Sequence, residues 1–315
     1  MLTLSVILPT HAPDERAEGL AAAVDSLLNQ TRRPDQLVIV HDGPGRAPDE
    51  LAGRVRSAGV GCRSVRSAVA SLPRSRNVGI DAAVGHIVVF GEDDLTFPPD
   101  YLQRVASLYA ADTEHRVAGI GSVVREPGAV RRRRRAWDRL SRWLGEGRWG
   151  PRRQAARRVA LPPSLRRRLR PCARLPGGGL TLRREIAAAE RFDETMRGYA
   201  LGEDMEFCYR VAPRHALYRA PELAAVHAPA STGRPKPYRR GRMYAAGMLR
   251  IAARTADGGA GTWLLAGYQL AGMALLYAAW SLPARCADNA RFAAGVVVEV
   301  ACAAARGARR TLCGY

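Results

Sequence analysis

The stretch Ser71–Tyr101, SLPRSRNVGIDAAVGHIVVFGEDDLTFPPDY, decides the fold. Inside it, His86–Phe90 (HIVVF) is a short apolar run rich in β-branched residues. Gly85 and Gly91 bound it, and it reads as a buried strand. Glu92, Asp93 and Asp94 follow at once. Three adjacent carboxylates repel one another, so their place at a strand end costs stability. In an open α/β sheet the carboxyl ends of the strands are where ligands bind. Carboxylates set there suit a hard divalent cation that also holds phosphate oxygens; the competing reading is a solvated acidic turn. Pro98-Pro99 stops the loop, and Asp100 stands where it can cap a helix over about Tyr101–Ala111.

Upstream, Leu4–Leu8 (LSVIL) is a first buried strand, ended by Pro9. Glu15–Gln30 carries Leu20, Val24, Leu27 and Leu28 at helical spacing, and Gln36–Val40 is a second strand. Strand, helix, strand at this spacing predicts a right-handed parallel crossover. Leu51–Ala58 reads as the next helix, Val60–Val65 as a third strand, and Leu72–Val84 as the helix that feeds His86–Phe90. Three strand ends then meet on one edge: Pro9-Thr10, Asp42-Gly43 and Glu92–Asp94. That is a nucleotide site by position. No GxGxxG and no Walker A motif accompanies it, which excludes the common dinucleotide fold and the P-loop.

Composition sets the outer bounds. The chain has 315 residues, 47% of them hydrophobic, with a net charge of +20 and a pI near 10.9. Nearly all the positive charge is Arg, Lys236 being the single Lys. Six scattered Cys without a CxxC pair read as reduced thiols in a cytosolic setting, with no structural zinc site. The start reads directly as a strand, so no signal peptide is expected. Arg131–Arg174 holds seventeen Arg against two acids, together with Trp137, Leu140 and Leu144, which fit one helical face. Such a segment suits an anionic membrane surface, a disordered basic loop or nucleic acid; no nucleic-acid fold accompanies it, so no nucleic-acid partner is expected.

Farther on, Val117–Val124 and Leu223–Val226 read as strands and Arg183–Ala189 as a short helix. Gly177-Gly178-Gly179 allows either close backbone approach to a ligand or a plain turn. Gly202–Phe207 (GEDMEF) is a second acidic cluster, with Glu203 and Asp204 opening a helix where the dipole favours negative charge. Gly258–Ala284 carries no charge, and about 262–282 of it is long enough to cross a bilayer, although Ala, Gly and Gln269 equally suit a packed helix. Phe292–Ala305, with Glu299 in its middle, reads as amphipathic. The basic end at Arg306, Arg309 and Arg310 favours a cytosolic face.

SVILPTH, QTRRPDQLVIVHDG, RNVGIDAAVGHIVVFGEDD and GYALGEDMEF together resemble the family 2 glycosyltransferases of the GT-A fold. The resemblance runs over roughly Leu2–His227. It implies a Rossmann-like mixed α/β sheet flanked by helices, with a catalytic unit at 1–228, an Arg-rich insertion at about 128–175, and a helical, membrane-associated extension at 229–315. It implies that Pro9, Thr10, Asp42, Arg76, Asn77, Glu92 and Asp93 bind a nucleotide-sugar donor. Thr10 and Asp42 would meet the base and ribose, and Arg76 and Asn77 would lie near the diphosphate. Asp94, with Glu92 and His227, would hold a divalent cation, Mg or Mn; Glu92 stands where Asp is commoner. Asp204, with Glu203 next, would be the base. The donor would be a UDP-, dTDP- or GDP-sugar, and the acceptor a glycan or lipid-linked sugar. The processive QxxRW motif is missing after the second acidic cluster; Arg139–Trp143 is similar but comes too early. Inverting, metal-dependent transfer of a single sugar at the cytosolic membrane face is therefore expected, by a protein that is peripheral or has one C-terminal membrane helix. The alternatives are a nucleotidyltransferase, or a catalytically inactive basic protein that binds membrane or nucleic acid.

Overall fold

The computed structural model describes the chain except residues 12–13, 44, 126–158, 229–234, 255–259, 285–286 and 306–315. Most of the Arg-rich insertion, including Trp137, Leu140 and Leu144, lies outside the described residues. In chain order the strands are β1 Leu4–Thr10, β2 Gln36–His41, β3 Gly61–Arg66, β4 Ile87–Phe90, β5 Leu95–Thr96, β6 Gly119–Arg125, β7 Arg170–Pro171, β8 Leu180–Arg183 and β9 Leu217–His227. The helices are α1 Ala17–Leu28, α2 Ala47–Ser57, α3 Leu72–Ala82, α4 Tyr101–Ala110, α5 Pro163–Arg166, α6 Arg184–Glu190, α7 Glu203–Val211, α8 Pro237–Arg254, α9 Ala260–Ala284 and α10 Ala287–Ala305.

One mixed sheet runs β3-β2-β1-β4-β8-β6-β9-β5, with β7 on β9. Its central strands are buried at every position because both faces are covered. Successive residues alternate between two cores. Leu4, Val6 and Leu8 of β1, Leu37 and Ile39 of β2, and Ile87 and Val89 of β4 pack with α1, α2 and α4. Ile7, Val38, Val40, Val88 and Phe90 face the other way, toward Ile80 of α3, Ala187 of α6, and Phe207, Cys208 and Val211 of α7. β1, β2 and β3 pair in parallel, as β1 does with β4. The chain builds outward from β1 to β3, then returns to β4 on the other side of β1. The connecting helix changes face with it. The crevice between the ends of β1 and β4 is the topological switch point of the sheet.

Several expected boundaries move. β1 runs through Pro9 to Thr10 instead of ending at Pro9. Pro9 shares the parity of Ile7, whose carbonyl accepts from the Gly91 N–H on the β4 side, but lies beyond the last β1–β4 pair. Its missing N–H therefore costs no ladder bond. The helix expected from Leu51 starts at Ala47, with Pro48 in the first turn, where proline's fixed φ suits a helix start. Asp100 holds the N-cap position of α4 without a capping bond; its carboxylate instead accepts from Arg104 one turn on, at 2.7 Å. β8 replaces the plain Gly-bounded step and fills the gap between β4 and β6 in antiparallel register.

The last three helices form a layer outside α7. Met205 and Tyr209 of α7 pack with Ala245, Met248 and Ile251 of α8, Ala266 and Leu270 of α9, and Phe292 and Val296 of α10. α8 and α10 touch along Gly241 and Gly295; a Cβ on either would overlap backbone of the other helix. Asp193, in the turn before α7, accepts from Arg250 and Arg254 at 2.7 Å each and ties α8 to the sheet unit. Among the described residues no helix is long and apolar enough to cross a membrane, which corrects the spanning expectation for about 262–282. The reason is compositional: the stretch is diluted by Ala and Gly. Its buried Gln269 donates to Tyr244 on α8 at 2.8 Å, inside a protein contact.

Candidate active site

An open cavity lies over the switch point. Its wall includes Pro9, Thr10, His11, Asp42, Glu92–Asp94, Glu203, Asp204 and His227. The three expected strand ends and the second acidic cluster thus face one space of about 1020 Å3.

β4 ends on its ladder partner β1, and the chain turns at Glu92–Asp94 before pairing again as β5. That short strand is antiparallel to β9, with Leu95 opposite His227. The Ala228 N–H donates to the Asp94 carbonyl at 2.9 Å. This ladder brings a histidine from late in the chain onto the acidic turn. His227 Nε2 lies 3.2 Å from Asp94 Oδ2. Glu92, Asp94 and His227 each offer a ligand atom, all within 4.8 Å of one another. Two carboxylates and an imidazole suit Mg or Mn, the imidazole favouring the softer Mn.

Asp93 is spent within the protein. Thr10 Oγ1 donates to its Oδ2 at 2.6 Å, and Arg16 holds Oδ1 at 2.6 Å. Burial raises its carboxyl to about 6 against the pull of Arg16 and Thr10. The same Arg16 nitrogen lies 3.2 Å from Asp94 Oδ2. The sequence reading missed Arg16. The signal was its position: a cation at a helix N-terminus opposes the dipole and needs acids elsewhere to hold it. At the β2 end of the crevice, Asp42 meets the ring Nδ1 of the exposed His11 at 2.5 Å.

Arg76 is 0% exposed and lies under the cavity floor. Its guanidinium stacks 5.2 Å from the Phe192 ring and joins the two acidic clusters, contacting Glu203 with one nitrogen and Glu92 with the other at 3.1 Å. Room for it comes from Gly177, where a Cβ would lie 2.5 Å from an Arg76 nitrogen. Burial raises the Glu203 carboxyl to about 8 and that of Glu92 to about 7, in both cases against the opposing pull of Arg76. Glu92 still turns 32% of its side-chain surface to the cavity, so its shift comes from the enclosed floor and carries less energy than full burial would. Glu203 Oε2 has no hydrogen-bond partner within the described protein.

Asn77, expected near a diphosphate, does not reach the cavity. Its amide is clamped between Phe192 and Glu194, donating to both at 2.9 Å and accepting from the Phe192 N–H at 2.9 Å. Arg76 likewise touches carboxylates where a diphosphate had been expected. Asp204 does face the cavity, half-buried. Its Oδ2 accepts from the Gly177 N–H at 2.9 Å and its Oδ1 from the Met205 N–H at 2.8 Å. The glycine step before β8 thus orients one carboxylate and leaves room for the arginine that joins the others.

The description "Glycosyl transferase family 2" matches residues 5–173, more than half of the chain. The chain belongs to this family. It is a member of a glycosyltransferase enzyme family with the GT-A fold. A curated relative, the glucosyl-dolichyl phosphate glucuronosyltransferase of Haloferax volcanii, is 28% identical over 146 residues, covering 45% of this chain and 44% of that protein. This chain thus matches less than half the length of that relative. The mannosyltransferase from Pyrobaculum calidifontis, solved with GDP-Man and Mn2+, superposes with a TM-score of 0.57 at 16% identity, over 94% of this chain and 86% of that one. S. aureus TarS in complex with UDP-GlcNAc gives a TM-score of 0.53 at 14% identity, over 86% and 72%. At these identities the structural likeness speaks for the fold alone.

Proposed function

We propose that this protein transfers a single sugar, with inversion, from a nucleotide-sugar donor to a glycan or lipid-linked acceptor. One observation carries the reading: both acidic clusters and His227 face one cavity at the sheet's switch point. The donor would lie along the ends of β1, β2 and β4, with its base toward Thr10 and Asp42. Glu92, Asp94 and His227 would hold a divalent cation, whose charge offsets that developing on the leaving diphosphate. Asp204, oriented by two backbone N–H groups, would accept the proton of the acceptor hydroxyl. The acceptor oxygen forms its bond to the anomeric carbon as the carbon–phosphate-oxygen bond breaks. The electron pair leaves with the nucleoside diphosphate, and the proton ends on Asp204. One displacement inverts the anomeric centre. Glu203 is a weaker candidate for the base because its carboxylate is engaged by buried Arg76.

Work at a membrane face belongs to the same reading. Leu264, Tyr268 and Leu275 lie exposed along one face of α9, on a chain of net charge +20. The test is nucleoside diphosphate release from UDP-, dTDP- and GDP-sugars, with Mg or Mn, with chelator, and in Asp94→Ala. Metal-dependent release from one donor, lost in the variant, is expected. No release, combined with no nucleotide binding in calorimetry, would overturn the reading.

A further inference from the structure

Three cations of the cavity wall stand apart from its acids, while Asp204 is held by backbone N–H groups. Asp42, Glu92, Asp93, Asp94 and Glu203 already meet His11, Arg76, Arg16 and His227. Arg197, Lys236 and Arg239 line the same cavity, are exposed, and pair with no carboxylate among the described residues. They ride on the elements that position Asp204, not on those that form the nucleotide edge. Arg197 opens the loop that runs into α7; Lys236 and Arg239 stand at the start of α8, which packs on α7. In the proposed site the donor diphosphate would be met by the cation at Glu92, Asp94 and His227, while these three cations stand on the elements of the other wall.

Two aromatic side chains lie among them. Tyr199 and Tyr238 line the cavity and are 41% and 40% exposed. The loop that presents Tyr199 turns through Ala200 at φ 45, a left-handed conformation that a non-glycine residue adopts at a cost. Strain kept beside a binding cavity accords with a binding role. A cavity of about 1020 Å3 also stands at the upper end of single-ligand sites, which leaves space for a second ligand beside the donor.

We infer that the acceptor bears an anionic group next to the sugar that is glycosylated, held by Arg197, Lys236 and Arg239, with sugar rings against Tyr199 and Tyr238. This rests on the sugar-transfer reading. The anion is a phosphate or diphosphate that links the sugar to a carrier, or the carboxylate of an acidic sugar; both present oxygens to guanidinium and ammonium groups.

The test is calorimetric binding to the full chain with nucleoside diphosphate and Mn2+ present. Three octyl probes are compared: octyl diphospho-N-acetylglucosamine, octyl glucuronide and neutral octyl glucoside. One anionic probe should bind at least about tenfold tighter than the neutral one, in a salt-sensitive manner. The diphosphate winning identifies a carrier link; the glucuronide winning identifies an acidic sugar. In the Arg197→Gln/Lys236→Gln/Arg239→Gln variant that preference should vanish while nucleoside diphosphate affinity stays within about twofold. Equal binding of all three probes to the wild-type protein would overturn the inference. So would a variant that loses nucleotide affinity instead, since the cations would then serve the donor. Failure of the sugar-transfer reading looks different: no nucleotide binds and no donor is consumed, whatever the probes do.

Discussion

The two walls of the cavity are built on opposite terms. On the nucleotide wall every acidic side chain already has a partner: Asp42 has His11, Glu92 has Arg76, Asp93 has Thr10 and Arg16, and Asp94 has Arg16 and His227. On the wall formed by the loop before α7 and the start of α8, Arg197, Lys236 and Arg239 have no carboxylate among the described residues. The first wall fixes its carboxylates before any ligand arrives, which lowers the cost of ordering them on binding. The second keeps its charges for a ligand. A preset wall suits a donor that is the same in every turnover, and an open wall suits an acceptor that must enter and leave beside it.

Changes to the carboxylates and to the buried arginine that joins the two walls should cost most. Asp204→Asn keeps one of the two backbone hydrogen bonds, since its amide has a single acceptor oxygen, but removes the proposed base, and should lower kcat by roughly 100- to 10,000-fold with donor affinity little changed; steady-state kinetics against calorimetric binding would check this. Arg76→Met leaves the buried Glu203 and the half-buried Glu92 without their shared cation. Breaking a buried pair in this way costs about 3–5 kcal/mol, to be read in denaturant unfolding, and adding Glu203→Gln should restore part of it. The pH response follows from the raised carboxyls. Burial raises the Glu203 carboxyl to about 8 in the folded protein, against an ordinary value of 4.5. Stability of the metal-free protein should therefore fall as pH rises through that window, and Glu203→Gln should flatten the profile. The smallest effect sharpens the contrast. Arg16→Gln removes a cation from Asp94, so Mn2+ should bind about threefold to tenfold tighter without nucleotide; weaker Mn2+ binding in titration would mean that Arg16 assembles the turn.

Much of this was legible in the sequence because it rests on strand ends. Apolar runs closed by Gly, Pro or Asp fix where strands stop, and in a parallel sheet their ends share an edge. That reading put Thr10, Asp42 and Glu92–Asp94 together, and they line one cavity. What stayed hidden depends on partners distant in the chain. Asn77 looks as polar as a ligand-binding residue, but Phe192 and Glu194 occupy it. Arg76 beside it gives no sign of being buried, since its burial needs Gly177 and the Phe192 ring. β5 is two residues long and has no pattern of its own; only the presence of β9 makes it a strand. The apolar length of about 262–282 matched a bilayer in residue number, but α8 and α10 pack against one side of it.

The β5–β9 ladder also sets an order of events. Glu92 and Asp94 leave the ribosome long before His227, and the hydrogen bond from Ala228 to the Asp94 carbonyl closes the turn they stand on. The family-matched stretch ends at residue 173, before Asp204 and His227 have been made. A nascent chain of that length has the strand ends of the Glu92–Asp94 turn but neither Asp204 nor His227, the base and the third ligand of the proposed reaction. On the proposed roles, catalytic competence arrives late in synthesis, in the same interval that brings the start of α8 into place.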